Sequence, residues 1–185
     1  MGPRAILLDR DGVINADSPN YILSPEQWEA LPGSLAAIAQ LNQAGMLVGV
    51  CSNQSAVGRG MMSQQTLNAI HQRMQAQLKA NGAHLDAIAV CPHAPESQCD
   101  CRKPKPGLIL QMLAQWNLTP DEALFIGDSQ RDLDAAAAVG VEAWLVRTGN
   151  GRQTETQWCN DTQPVEVFDD LNAAVTTLLN RPIHE

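Results

Sequence analysis

The chain has 185 residues, a length that fits one domain spanning residues 1–185, and its 44% hydrophobic and 17% charged content builds a core and excludes wholesale disorder. Acidic residues outnumber basic ones by 20 to 12, a net charge of −8, which excludes a general nucleic-acid binder; any phosphate ligand needs a local cationic device. No apolar run nears the ~18 residues of a membrane span, and the opening Met1–Asp9 stretch is too short for a signal peptide, so a cytoplasmic protein without a membrane partner is expected; a monomer is the expectation for its assembly, on which the sequence itself is silent.

In chain order, Ala5–Leu8 predicts a first strand that stops at Asp9. Ser34–Ala44 reads as a helix with Leu35, Ile38 and Ala39 on one face and Gly45 to end it. Met46–Cys51 is nearly all apolar, as befits a strand covered on both faces. Ser63 can cap a long helix striped by Leu67, Ile70, Met74 and Leu78 and closed near Gly82. Ala87–Cys91 predicts a third strand, Pro106–Trp116 a helix, Ala123–Ile126 a fourth strand, Arg131–Val139 an Ala-rich helix and Glu142–Val146 a fifth strand. Gly149 to Gln163 reads as a polar loop, and Asp170–Leu179 as a last helix on Leu171, Val175 and Leu178. Strand and helix alternate throughout, so the fold class is α/β: a Rossmann-like, doubly wound parallel sheet with right-handed crossovers. Ligands of such sheets bind beyond the carboxyl ends of the strands. Segments 12–32 and 91–105 are the only insertions large enough to shape a site there.

The strand ends carry the chemistry. Strand one delivers Asp9-Arg10-Asp11-Gly12, two carboxylates at i, i+2 followed by a turn-permitting Gly. Strand two delivers Ser52-Asn53-Gln54-Ser55, hydroxyl and amide groups suited to a phosphate. The third connection delivers Arg102-Lys103-Pro104-Lys105, and strand four delivers Gly127-Asp128-Ser129-Gln130-Arg131-Asp132. Each is ordinary alone, as a turn, a cap or a surface charge. Their joint order at successive strand ends resembles the four motifs of the haloacid dehalogenase (HAD)-like phosphatases.

Hydrolysis of a phosphate monoester needs a nucleophile, charge neutralisation and an acid for the leaving oxygen. The resemblance implies that Asp9 attacks phosphorus to form an aspartyl-phosphate. It implies that Asp11 protonates the leaving alkoxide and then activates water. Asp9, Asp128 and the main-chain carbonyl of Asp11 would hold Mg²⁺. Ser52, Asn53 and Lys103 would hold phosphate oxygens, with Gln54, Ser55 and Ser129 lining the same place. Asp132 would orient Lys103 or a metal-bound water.

The five cysteines are an odd number, which argues against a disulfide framework. Cys91, His93, Cys99 and Cys101 form C-x-H, five residues, C-x-C, a set of three thiolates and an imidazole that satisfies tetrahedral zinc. All four positions are filled by protein, so the zinc is expected to be structural. Cys101 adjoins Arg102-Lys103, so a loop folded around the ion would aim both at the site.

Together with this cluster and the Arg102-Lys103-Pro104-x-Pro106-Gly107 run, residues 5–148 resemble the D-glycero-D-manno-heptose 1,7-bisphosphate 7-phosphatases and their relatives, the histidinol-phosphate phosphatases. The stretch between His93 and Cys99 is shorter than in many of them. The resemblance implies no large cap domain, a small phosphorylated sugar as substrate, Asp17, Ser18, Pro19 and Asn20 against the sugar, and Arg102 on the distal 1-phosphate, with Arg59 a further candidate. A bisphosphate asks for two cationic sites, whereas histidinol phosphate brings its own ammonium; the Arg102, Lys103 and Lys105 cluster therefore favours the sugar. Histidinol phosphate stays open, as does a metal-stabilised binding protein without activity. Cys51 reads as a small buried hydrophobe, Cys159 as an unpartnered loop thiol, His71, His84 and His184 as histidines without metal-like neighbours, and Trp28, Trp116, Trp144 and Trp158 as packing residues.

Overall fold

The computed structural model describes residues 2–157 and 165–181. Its strands are β1 (Ala5–Leu8), β2 (Leu47–Asn53), β3 (Ala87–Cys91), β4 (Ala123–Gly127), β5 (Glu142–Val146) and β6 (Glu166–Phe168). Every pair is parallel, and the spatial order is β3-β2-β1-β4-β5-β6. That order puts β1 at the centre, where the chain's progress across the sheet reverses between β1 and β4. Leu8 pairs with both Val50 and Ile126, so the carboxyl ends of β2, β1 and β4 open side by side into the crevice of the topological switch point.

Alternation along β1 divides the core. Ile6 and Leu8 face one layer, with Val48, Val50, Leu124 and Ile126, against helices α1 (Ser34–Gln43), α3 (Gln64–Ala80) and α7 (Leu171–Asn180). Ala5 and Leu7 face the other, with Cys51, Ala89 and Phe125, against α4 (Gly107–Trp116) and α5 (Gln130–Ala137). The expected stripe Leu67, Ile70, Met74 and Leu78 on α3 is buried; on α4 the expected Ile109, Met112 and Leu113 are buried together with Leu108, while Trp116, expected to face inward, is only partly buried. Ser63 caps α3 by accepting from the Thr66 amide at 3.0 Å, and Asp170 caps α7 through the Ala173 amide at 2.8 Å.

Three elements depart from the expected pattern. The turn after β2 winds into a four-residue helix, α2 (Ser55–Gly58). A helix, α6 (Gly151–Gln157), occupies the stretch expected to be loop. Its sequence, GRQTETQ, carries no apolar stripe and buries only Gly151 and Thr154, so no helical periodicity marks it. It is fixed instead by tertiary bonds, Thr154 Oγ1 donating to the Asp128 carbonyl at 2.8 Å. The three-residue edge strand β6 is too short to alternate; Phe168 stacks on Trp144 with ring centroids 4.7 Å apart. Trp158, Cys159 and His184 lie outside the described residues. Among the described residues no helix is long and apolar enough to cross a membrane, and no inserted cap domain stands over the strand ends.

Candidate active site

The Asp9 amide continues the β1–β4 ladder by donating to the Ile126 carbonyl at 3.1 Å, so the carboxylate is delivered at the crevice by sheet geometry. Asp9 Oδ1 accepts from the Arg10 amide at 2.7 Å and pairs with Lys103 Nζ at 3.0 Å; Oδ2 takes no hydrogen bond from the described residues. Lys103 is 2% exposed, so its charge must be met from within. It lies 2.7 Å from Asp132 Oδ1, donates to the Cys51 carbonyl at 2.7 Å and stands 5.5 Å from the Phe125 ring centroid. Burial alone would lower its pKa, and the Asp132 and Asp9 carboxylates outweigh that, holding it above its ordinary value.

Asp128 stands at the end of β4. Its Oδ2 accepts from the Asn150 amide at 2.8 Å and the Asn150 side chain at 3.2 Å. Two glycines make room for it. A Cβ on Gly12 would come 2.1 Å from Asp128 Oδ2 and one on Gly149 would come 2.2 Å, and both backbones are left-handed, at φ +82° and +55°. Asp9, Asp128 and Asp132 each bring a carboxylate oxygen within 4.8 Å of the others. Burial pushes Asp9 up to about 7 against the pull of Lys103, and burial with Asp9 and Asp132 pushes Asp128 up to about 8. Two buried carboxylates that repel this strongly fit a hard divalent cation such as Mg²⁺ between them. Asp132 is already spent: Oδ2 accepts from the amides of Asp128 and Ser129 and from the Ser129 hydroxyl, and Oδ1 faces Lys103.

Asp11 turns the other way. Its carboxylate accepts from the Arg10 guanidinium, from Asn15 Nδ2 at 2.9 Å and from Gln54 Nε2 at 2.7 Å. Burial raises its pKa, but Arg10 and these donors outweigh burial and hold it below the usual carboxylate value.

Beyond β3, Cys91 Sγ lies 3.6 Å from Cys99 Sγ and 3.6 Å from His93 Nδ1, and His93 Nδ1 lies 3.3 Å from Cys101 Sγ. These are far from a covalent S–S bond. They match the edges of a tetrahedron around one ion, about 3.8 Å for two thiolates and about 3.6 Å for thiolate and imidazole at zinc-type bond lengths. The cluster can therefore hold a metal ion.

Sequence and structure comparisons agree with this geometry. The HAD-hydrolase-like family model matches residues 100–174. D-glycero-β-D-manno-heptose-1,7-bisphosphate 7-phosphatase of Bordetella bronchiseptica is 46% identical over 176 residues, covering 95% of this chain and 98% of the relative. The Pseudomonas aeruginosa protein of that name is 41% identical, covering 97% and 99%. The chain belongs to the D-glycero-β-D-manno-heptose-1,7-bisphosphate 7-phosphatase family. Among solved structures, the B. bronchiseptica heptose 1,7-bisphosphate phosphatase complexed with magnesium and phosphate superposes with a TM-score of 0.92 at 45% identity over 95% of this chain and 98% of that one. The Burkholderia thailandensis phosphatase gives a TM-score of 0.77 at 37% identity, covering 96% and 99%.

In this heptose bisphosphate phosphatase family member, a cleft of about 410 Å³ opens over Asp9, Asp11 and Asp128. Asp17, Ser18, Pro19, Asn53, Gln54, Ser55, Arg102, Lys103 and Ser129 line it as expected. Two expected substrate residues do not. Ser52 is buried behind the wall, accepting from Gln54 at 2.9 Å, and Asn20 faces outward, its amide bonded to the Ser18 hydroxyl. Asn53 and Gln54 line the cleft with their side chains already committed. The Asn53 amide donates to the Lys103 carbonyl and accepts from the Lys103 amide, each at 3.0 Å, and Gln54 bridges Arg10 and Asp11. Lys105 is not in the cleft; it pairs with exposed Asp100 at 3.1 Å. Cys51 is the buried hydrophobe expected, its thiol pushed up to about 12 by burial.

Arg10, Asn15, Tyr21, Arg131 and Asn150 also line the cleft or bond its aspartates, and the sequence motifs assigned them no role. Asn150 was findable, because Gly149-Asn150-Gly151 follows the end of β5, a strand end as eligible as the other four. Arg131 sits inside the strand-four motif, between Gln130 and Asp132.

Proposed function

We propose that this chain is a Mg²⁺-dependent phosphomonoesterase that removes the 7-phosphate of D-glycero-β-D-manno-heptose 1,7-bisphosphate through an aspartyl-phosphate on Asp9, in the supply of heptose for cell-surface polysaccharide. The observation that carries it is Asp9, its Oδ1 tied down and its Oδ2 free, between Lys103 and Asp128 on the floor of a cleft whose wall bears Arg59, Arg102 and Arg131. The relatives' printed names and the magnesium-bound solved relative support the same reading.

Asp9 Oδ2 attacks phosphorus. Lys103 neutralises the phosphoryl oxygens on one side while Asp132 keeps its ammonium aimed. Mg²⁺, held by Asp9, Asp128 and the Asp11 carbonyl, supplies charge neutralisation for the transferring group. Asp11 gives a proton to the leaving sugar oxygen and later takes one from the water that hydrolyses the acyl phosphate. Asp17, Ser18 and Pro19 contact the sugar, and Arg102 binds the distal phosphate through its planar fork. Cys91, His93, Cys99 and Cys101 hold a structural zinc; their thiolate-rich, filled donor set supports that metal over a hard cation. All of these groups come from one chain, which supports a site complete within a single one-domain protomer.

The two-phosphate reading is tested by measuring phosphate release from heptose 1,7-bisphosphate and histidinol phosphate side by side with Mg²⁺, using Asp9→Asn as the blank. Preference for the bisphosphate, lost on Arg102→Ala, is expected. Preference for histidinol phosphate would keep the Asp9 chemistry and overturn the role of Arg102, and release from neither would overturn the enzyme.

A further inference from the structure

Arg10 has no part in the reading above, yet it is fully buried at the edge of the site. A guanidinium cannot shed its proton to escape burial, and a buried ion pair is seldom more stable than apolar residues of the same volume. The donors of Arg10 are nonetheless matched. Nε donates to Asp11 Oδ1 at 3.2 Å, and Nη2 reaches Oδ1 at 2.9 Å and Oδ2 at 3.1 Å, a fork closed on the carboxylate. Nη2 also donates to Gln54 Oε1 at 3.2 Å, and Gln54 completes the ring by donating through Nε2 to Asp11 Oδ2 at 2.7 Å.

The remaining arm reaches out of the loop. Nη1 lies 3.3 Å from Nε2 of His71, on α3. A guanidinium only donates, so His71 Nε2 must accept, which fixes a neutral ring carrying its proton on Nδ1. Asp11 is thus clamped to its own neighbour, which is clamped in turn to Gln54 just after β2 and to α3, a helix of the layer that Leu8 faces.

We propose that Arg10, anchored by His71 and Gln54, is a positioning residue that sets the Asp11 side chain for proton delivery to the leaving oxygen. The proposal rests on the phosphatase reading above. In the step it serves, the Asp9 Oδ2–P bond forms and the ester P–O bond breaks with its electron pair left on the sugar oxygen. The proton that this oxygen takes passes through Asp11, which receives it from the monoanionic phosphate group of the bound substrate and is left as the carboxylate that the Arg10 fork holds.

A group that positions the acid matters only when the leaving oxygen needs a proton. First-turnover rates are therefore compared for heptose 1,7-bisphosphate, whose alkoxide is a poor leaving group, and 2,4-dinitrophenyl phosphate, whose phenolate departs unprotonated. In Arg10→Met the sugar reaction should slow about 100-fold, within the usual worth of a general acid, with KM little changed, while the dinitrophenolate burst slows less than about 5-fold. Arg10→Lys should recover part of the loss, and His71→Gln, remote from the substrate, should show the same split at about 10-fold or less. Equal slowing on both esters in His71→Gln and whichever Arg10 variant folds would make the network merely structural and overturn the proposal, as would a rise in KM at constant kcat. A wild-type protein that cleaves neither ester would instead remove the phosphatase reading, and this proposal with it.

Discussion

The ammonium of Lys103 and the carboxylate of Asp132 stand 2.7 Å apart, both out of contact with solvent, and neither has a better partner for its charge. Asp132 also gathers the Asp128 and Ser129 amides on its other oxygen, so one side chain fixes both the cation beside Asp9 and the turn that carries Asp128. Asp132→Asn removes the charge and keeps the shape. Breaking a buried pair from one side typically costs about 3–5 kcal/mol, and Asp9 remains to share Lys103. A loss of roughly 3 kcal/mol in urea denaturation is expected, with activity down about 100-fold. Wild-type activity in a folded Asp132→Asn protein would remove Asp132 from the positioning of Lys103.

Gly149→Ala tests the pocket that receives Asp128. The added methyl would stand 2.2 Å from Asp128 Oδ2 on a backbone at φ +55°, so either the carboxylate or the Asn150 turn must move. The Mg²⁺ concentration for half-maximal activity should rise at least about 10-fold, beyond the roughly 1 kcal/mol of backbone strain that stability would register. An unchanged Mg²⁺ titration would show that Asp128 is not a ligand.

Much of this was legible before the structure. Strand ends announce themselves because buried parallel strands are apolar runs that stop at the first functional polar residue, as Leu8 stops at Asp9 and Gly127 at Asp128. The Cys91–Cys101 set was legible because thiolates and an imidazole at close spacing have few other uses. What escaped was held by tertiary contact rather than by pattern. α6 has no apolar face and exists because Thr154 and Asn150 reach back to Asp128. Arg10 sits between Asp9 and Asp11 in sequence, where a cation reads as solvent-facing, and only tertiary contacts, with Gln54 after β2 and with His71 on α3, show that it points inward.

Cys99→Ser tests the metal loop. It should lower the bound zinc, measured by elemental analysis, from one ion per chain toward none, and reduce the thermal midpoint. Lys103 is held independently by Asn53, Asp9, Asp132 and the Cys51 carbonyl, whereas Arg102 is tied to the loop, its guanidinium at the His93 carbonyl at 3.5 Å and its backbone at the Cys99 sulfur. The loss should therefore fall on KM for the bisphosphate more than on kcat. Full activity and affinity in a zinc-free variant would detach the cluster from substrate binding.

His71 makes stability depend on pH. Burial first, and the Arg10 charge second, push its pKa down from 6.5 to about 4, against the pull of Asp11. Between those values the unfolded chain binds a proton that the folded one refuses, so this contribution is intact above about 6.5 and is lost as pH falls toward 4. Going from about pH 7.5 to about pH 5, the wild type should lose more urea stability than His71→Gln, while titrations common to both cancel. Equal losses would show that His71 is free to protonate in the folded protein.

The Asn53 side chain grips Lys103 by both its carbonyl and its amide, in the manner of one more rung added to the sheet. Through that grip the cation beside Asp9 belongs mechanically to the β-framework, even though its place in the chain is inside a loop. The loop from Ala94 to Asp100, with Arg102 at its exit, is thereby uncoupled from the phosphoryl-transfer end. Its length and charges can drift, and with them the far end of the substrate, while the machinery that breaks the ester bond keeps its geometry. In the proposed mechanism, the peptide bond joining Arg102 to Lys103 thus divides, within this segment, the group that would bind the distal phosphate from the one that would neutralise the transferring phosphoryl.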